Sequence, residues 1–246
     1  MNATLLFSTL LVMTVGLSSA LGSEFVAAVN TSGLVHGETR IQVKYPIAPQ
    51  TYDSSSYKNI DSRPSEPQGV QVYIAKAAFL INKPVTFFQD PNLFQTASLR
   101  KLFPTTQITP VPGQPNVNNV VVNKTGVMAT LGPLIGIPTP TFRGKWAGIN
   151  VTPQVAAAFA AFDPQTAAPQ AVSYQWGDNF NFLFNRSVVI TRLYRVNDNQ
   201  TLAISDQIID VRTAQIPKIP LFNLTKTVKS LILEQIANFR SAAEAM

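Results

Sequence analysis

The chain has 246 residues, 46% of them apolar and only 13% charged, with a net charge of +6 and a pI near 9.7. That balance supports a packed core and excludes wholesale disorder. Zero Cys removes disulfides, iron–sulfur clusters and a thiol nucleophile, and a single His removes multi-histidine zinc sites and leaves one position for a Ser-His-Asp triad.

The stretch Leu5 to Leu17 is apolar apart from Thr9 and Thr14, and no charged side chain precedes Glu24. At about 13 residues it is shorter than the roughly 20 that a membrane span needs. It runs into Ser18-Ser19-Ala20-Leu21-Gly22, so the pattern predicts a secretory signal peptide cut after Ala20, with Gly22 as second choice. Residues 1–20 would leave, and 21–246 would form a single secreted domain. Seven Asn-x-Ser/Thr sequons stand against roughly 2.6 expected by chance from this composition. Asn2 would depart with the signal peptide, and Pro153 after Thr152 disfavours Asn150. The expected glycosylation sites are Asn30, Asn123, Asn185, Asn199 and Asn223.

From Glu38 onward strand signals dominate. Glu38 to Tyr45 alternates, with Ile41, Val43 and Tyr45 on one side and Arg40, Gln42 and Lys44 on the other. Pro46 to Gly69 reads as a long polar loop. Val70 to Ile81 reads as one long strand, or as a strand running into a short helix at Ala75 to Ala78. Phe103 to Asn119 carries four prolines and reads as a second long loop. Val120 to Thr130 and Thr141 to Asn150 are expected strands, separated by the Pro- and Gly-broken stretch 132–140. Thr152 and Pro153 open a predicted helix that Asp163-Pro164 stops after Phe162. Ala171 to Trp176 and Phe180 to Asn185 are shorter strand candidates.

Ser187 to Val196 and Thr201 to Arg212 form the clearest element, a hairpin around Asn197-Asp198-Asn199-Gln200. A three-residue loop would set Val196 opposite Leu202, Tyr194 opposite Ile204, Arg192 opposite Asp206 and Ile190 opposite Ile208. That register pairs apolar with apolar and charge with counter-charge. The last element is a long amphipathic helix from Leu224 to Ala243, capped by Asn223. Its apolar face carries Leu224, Val228, Leu231, Ile232, Ile236, Phe239 and Ala243. The expected fold class is therefore α+β: a curved antiparallel sheet of six to eight strands packed on a long C-terminal amphipathic helix, helix-grip-like or barrel-like. A curved sheet holding a helix tends to leave an apolar cavity between them.

Chemistry-bearing residues are few. His36 lies between glycine-containing turns near the start of the mature chain. With no marked nucleophile and only Glu38 nearby, it reads as a loop His rather than a general base. Asp206 and Asp210 share one face of a strand, and Asp178 follows Trp176-Gly177. A sugar-cleaving pair could draw on Asp178 with Trp176, Phe180 and Phe182, but the spacing specifies no such site, and it fits no calcium loop. Gly144-Lys145-Trp146 resembles the Gly-x-Trp of lipocalin-like barrels. Too few residues come after it for eight strands, so Trp146 reads as a core aromatic.

No residue is assigned as catalytic, cofactor-binding or metal-ligating. The candidate pocket residues are Trp146, Phe180, Phe182, Phe184, Arg192, Tyr194 and Phe239. Lys and Arg are scattered without aromatic interleaving, which argues against nucleic acid as a partner. The expected partner is an apolar small molecule or an acidic polysaccharide. The resulting expectation is a secreted, N-glycosylated, non-enzymatic protein that binds an apolar small molecule or an extracellular surface. The alternatives are a cofactor-free cyclase or isomerase working in an apolar pocket, and a structural or storage glycoprotein of a wall or matrix.

Overall fold

Hydrophobic alternation and one amphipathic helix organise the chain, as seen in a computed structural model that describes residues 29–44, 70–122, 139–149, 151, 153, 168–181, 184–212 and 223–246. The signal peptide, the loop over 46–69, the continuation of a strand to Thr130, the helix expected after Pro153, and the sites Asn123 and Phe182 lie outside the described residues.

Eight strands form one antiparallel sheet: β1 (Thr39–Lys44), β2 (Val70–Ile81), β3 (Thr106–Pro110), β4 (Val117–Val122), β5 (Thr141–Ile149), β6 (Ala171–Asp178), β7 (Phe184–Asn197) and β8 (Gln200–Arg212). Their spatial order is β1-β2-β8-β7-β6-β5-β4-β3. The described strands leave β1 and β3 as edges, so the sheet is open and not the closed barrel also considered. Across it lies one long helix at the C-terminus, α2 (Leu224–Ala245), while a short helix, α1 (Thr96–Leu102), precedes β3. This is the helix-grip layout.

Two segments depart from expectation. Phe103 to Asn119, read as a loop from its prolines, contains β3, a turn and the start of β4. Gly113 and Asn116 take left-handed backbone in that turn, and the Val111 N–H donates to Val117 O at 2.9 Å. Pro110 is tolerated because β3 is an edge strand, where a missing N–H breaks no ladder. Residues 85–102, which carry no clear periodicity, form two 3-10 turns (Val85–Gln89 and Pro91–Phe94) and α1. Asp90 starts the second turn by accepting from the Asn92 N–H at 2.9 Å. Their buried residues Val85, Phe88, Leu93, Leu99 and Leu102 close one end of the core.

The β7–β8 hairpin forms with its two faces as expected but with the register shifted by two. Tyr194 stands opposite Leu202, Arg192 opposite Ile204 and Ile190 opposite Asp206. The turn is Asp198-Asn199, with a bulge between Arg195 and Asn197. A shift of two keeps every side chain on its own face, so Arg192 still reaches Asp206, diagonally, at 2.8 Å.

α2 is built as its sequence dictates. Asn223 Oδ1 accepts from the Lys226 N–H at 2.9 Å, which satisfies one of the first-turn donors. Val228, Ile232, Ile236 and Ala243 are buried against Tyr73, Ala75, Phe79, Ile209 and Val211 of the sheet. The C-terminal end of α2 is clamped. Glu244 Oε1 accepts from the Asn82 N–H and pairs with His36 Nε2, each at 2.7 Å, and Arg240 donates to the carbonyls of Gly37 and Glu38 at 3.1 and 3.2 Å.

Burial pushes the Glu244 carboxyl up, but the Asn82 N–H, the His36 ring and the Arg240 charge outweigh it. The net effect is a pKa below the ordinary value of 4.5. A lowered folded-state value contributes stability above the unfolded value and loses it as pH falls through the folded one. Glu244→Gln is therefore expected to lower the melting temperature at neutral pH, and the gap between wild type and variant closes below about pH 4. Paired thermal melts across pH check this, and a gap constant with pH would refute it.

Candidate functional site

Cross-strand register fixes what lies on the concave face beneath α2. One row across β5, β6, β7, β8 and β2 reads Trp146, Gln175, Val189, Gln207 and Ala75. The next reads Gly148, Ser173, Thr191, Ser205 and Ala77, and the row on the other side Gly144, Gly177, Ser187, Ile209 and Tyr73. The middle of this floor is made of short or polar side chains, so the helix cannot be packed flush against it. Two adjoining cavities of about 220 and 80 Å³ result.

The larger cavity is walled by Val120 of β4, Phe142 and Trp146 of β5, Phe184 of β7 and Ile209 of β8, and roofed by Val228, Leu231 and Ile232 of α2. Contact of one helix with both β4 and β8 around one space requires the sheet to curve. Phe103, Trp146, Gln175, Gln207 and Gln235 border both cavities. Hence the walls are apolar and the floor carries a stripe of amides and hydroxyls, within which the Gln207 amide nitrogen lies 3.5 Å from Ser205 Oγ.

Three glycines make room for the aromatic wall. A Cβ at Gly144 would meet the Trp146 ring at 2.5 Å, one at Gly148 the Phe94 ring at 2.8 Å, and one at Gly177 the Phe142 and Phe180 rings at 3.1 Å. Phe142 stacks on Phe180 with ring centroids 4.7 Å apart, and Trp146 lies 5.8 Å from Phe103. Trp146 is 5% exposed, and its Nε1 is buried without a hydrogen-bond partner among the described residues. Leaving such a donor unpaired costs on the order of 1–3 kcal/mol.

The candidate pocket residues divide by strand parity. Trp146, Phe180 and Phe184 line the larger cavity and Trp146 and Phe239 the smaller. Arg192 and Tyr194 do not join them. Past the register shift between Phe184 and Arg186 the odd positions of β7 face α2, so these even positions project from the opposite face. There Arg192 is 0% exposed and paired with Asp206, and Tyr194 packs with Ala78 and Ile204. Asp210 pairs on that face with Arg186 at 2.9 Å, and Asp178 with Arg143 through two contacts of 3.1 Å. Trp176 shares this parity, so the acids and the Trp weighed for sugar chemistry point away from the cavity. Burial pushes the Tyr174 phenol there well above its ordinary value, against the Arg186 charge, so it stays protonated. His36 lines neither cavity and serves in the clamp on α2.

Among the described lining residues, Glu234 is the one carboxylate, and none is Lys or Arg. The described residues hold no group of three His, Asp or Glu placed for a metal ion, and no helix among them is long and apolar enough to cross a membrane.

No family model matches the chain, and no curated protein sequence matches it. Among solved structures it is similar to the Zhui aromatase/cyclase from Streptomyces sp. R1128, with a TM-score of 0.46 and 8% identity over 71% of this chain and 93% of that one. It is also similar to norcoclaurine synthase from Thalictrum flavum, in complex with dopamine and hydroxybenzaldehyde (TM-score 0.42, 10% identity, 74% and 92% covered). A START superfamily protein from Mycobacterium smegmatis is a third (TM-score 0.38, 13% identity, 70% and 94% covered). The architecture of this chain rests on its own strand order and helix, and the cavity on its own side chains.

Gly144→Ala tests the wall. The added methyl cannot coexist with the indole where it lies, so the ring must move, at a cost of about 1–3 kcal/mol. In a Trp176→Phe background the Trp146 emission should shift and the denaturation midpoint should fall. Unchanged emission and midpoint would show that the ring is not held against Gly144.

Proposed function

We propose that the protein is a secreted, N-glycosylated binding protein that holds a small apolar molecule between its concave sheet and α2. The observation that carries this reading is the apolar-walled cavity of about 220 Å³ under α2. Cavities of about 150 Å³ lined by apolar side chains take up benzene, so this one suits a compound of one or two rings. The cavity also sets the reading apart from a storage or matrix role, which needs only a solid core. The apolar stretch Leu5 to Leu17 with its small-residue end supports the secretory route. Asn30, Asn199 and Asn223 are exposed and open to glycan transfer. Asn199 sits in the β7–β8 turn. At Asn223 a glycan on Nδ2 leaves Oδ1 to cap α2. Asn185 is only 9% exposed within β7 and drops out of the proposal.

A thermal-shift panel of monoterpenoids, bicyclic aromatics, fatty acids and sterols checks the cavity. The one- and two-ring compounds should raise the melting temperature, since a ligand at 100 times its Kd adds about 2.7 kcal/mol to stability. Leu231→Trp, which fills the cavity from the helix side, should abolish the shift while the protein stays folded. Absence of binding across the panel would sink the reading. Expression in a secreting eukaryotic cell should give a product that begins at Leu21 and gains mobility on endoglycosidase treatment. An uncut, unmodified product would refute the secretory part alone.

A further inference from the structure

We infer that the smaller cavity is a hydroxyl-binding subsite, and that the molecule held under α2 is a neutral aromatic whose two meta-related hydroxyls sit on Ser173 and Thr191. The inference rests on the cavity reading and deepens it by giving the ligand a polar end of fixed spacing. On the floor of the smaller cavity, Ser173 of β6, Thr191 of β7 and Ser205 of β8 stand directly opposite one another in one cross-strand row. Gln175 and Gln207 lie in the next row. The walls and roof above them are apolar: Phe88, Leu93, Leu99, Leu102, Ile236 and Phe239.

Hydroxyls facing each other across strands often bond to one another, but these do not. Among the described residues the side chains of Ser173, Gln175 and Thr191 make no hydrogen bond, and the Gln207 amide reaches only Ser205 Oγ, at 3.5 Å. None of their oxygens or nitrogens is among the unpaired atoms sealed in the interior. Ser173, Gln175 and Thr191 stay half-buried although α2 crosses above them, and Gln207, only 5% exposed, has an amide oxygen that is neither paired nor sealed. These groups therefore open onto the cavity they line, and a hydrocarbon pressed on them would leave them unsatisfied.

A serine or threonine hydroxyl gives one hydrogen bond and accepts others, so its natural complement is a second hydroxyl. Spacing narrows the choice. Neighbouring strands hold their hydroxyls about 4.8 Å apart, and the meta oxygens of a benzene ring stand equally far from each other, whereas ortho oxygens are much closer. Size places the ring. The smaller cavity, about 80 Å³, is well under the roughly 150 Å³ that takes up benzene. Phe103, Trp146, Gln175 and Gln207 border both cavities, so the ring lies in the larger one and its hydroxyls reach into the smaller. Charge excludes an acid, because no described lining residue is Lys, Arg or His and a carboxylate would enter without a counter-ion.

Probes with one ring system separate these cases: naphthalene, 1,3-dihydroxynaphthalene and its 2,3 isomer, titrated calorimetrically under nitrogen. With wild type, the 1,3 isomer is expected to bind at least tenfold more tightly than naphthalene and at least threefold more tightly than the 2,3 isomer. This comparison needs no variant, and equal binding of the two isomers, or tightest binding of naphthalene, would overturn the inference. A double variant, Ser173→Ala with Thr191→Val, removes the two hydroxyls at nearly constant volume and breaks no hydrogen bond among the described residues. It should bring the 1,3 isomer to within about threefold of naphthalene and leave naphthalene binding no weaker than in wild type. Ser187→Ala, which removes a hydroxyl that lines only the larger cavity, should keep the wild-type order. Retention of the 1,3 preference by the double variant, or its loss in Ser187→Ala, places the subsite elsewhere and refutes the assignment. If none of the three probes binds while other panel compounds do, the inference fails and the cavity stands. If nothing binds at all, the cavity reading falls and the inference with it.

Discussion

An open curved sheet has an apolar inner face that it cannot close upon itself, and the stripe of α2 that fills it is what the rest of this structure depends on. Val228, Ile232, Ile236 and Ala243 recur at the spacing that keeps one helical face toward the sheet, and all four are buried. The clamp at Glu244 and Arg240 fixes the end of the helix by hydrogen bonds to residues 37, 38 and 82. Packing there is dense. Toward the other end the same helix passes over serines, glycines and glutamines, where the sheet has too little side-chain volume to meet it. The cavity is the remainder of that mismatch between the apolar stripe of the helix and a floor that changes character along its length.

Two faces of one sheet therefore carry opposite kinds of risk. On the concave side the polar groups are amides and hydroxyls at the margin of open space. On the other side Arg186, Arg192, Asp206 and Asp210 are buried and paired across β7 and β8. Burying ion pairs adds little net stability, but breaking one is costly. Such pairs penalise any arrangement of β7 and β8 that separates them. They also keep Asp206 and Asp210 away from the cavity, since each is held by an arginine on the far face.

Periodicity makes most of this legible in the sequence. The long helix, its Asn223 cap, the strands at 39–44, 70–81 and 141–149, and the final hairpin all show in the spacing of apolar residues. What stays hidden has specific causes. The register of β7 and β8 is misplaced by two in the sequence reading because alternation repeats every two residues, and only the Asp198-Asn199 turn separates the candidates. With the rows misplaced, Gln207 and Ser205 cannot be set beside Val189 and Thr191, and the polar floor does not emerge. Chemistry draws Arg192 and Tyr194 to the pocket, whereas strand parity sends them away from it. The prolines of 103–119 conceal a strand because an edge position removes the usual objection to Pro110. The helix α1 lacks any signal beyond Leu99 and Leu102, and its place is fixed only by what it covers.

The strand order has one more consequence, for how the chain is made. β2 lies between β1 and β8, so Val70 waits for Arg212 and Ile81 for Thr201 before its second edge is satisfied. During synthesis β1 and β2 emerge as an incomplete pair with one bare edge, while β3 to β7 are laid down elsewhere in the sheet. Only the arrival of the hairpin's second strand joins the two parts, and α2 comes within a few dozen residues of it. Pairing across so long a stretch of chain is slow and leaves an exposed template for wrong partners in the meantime. The commitment to a native sheet is thus postponed until β8 emerges, and truncation anywhere before β8 would leave two part-sheets with nothing to join them.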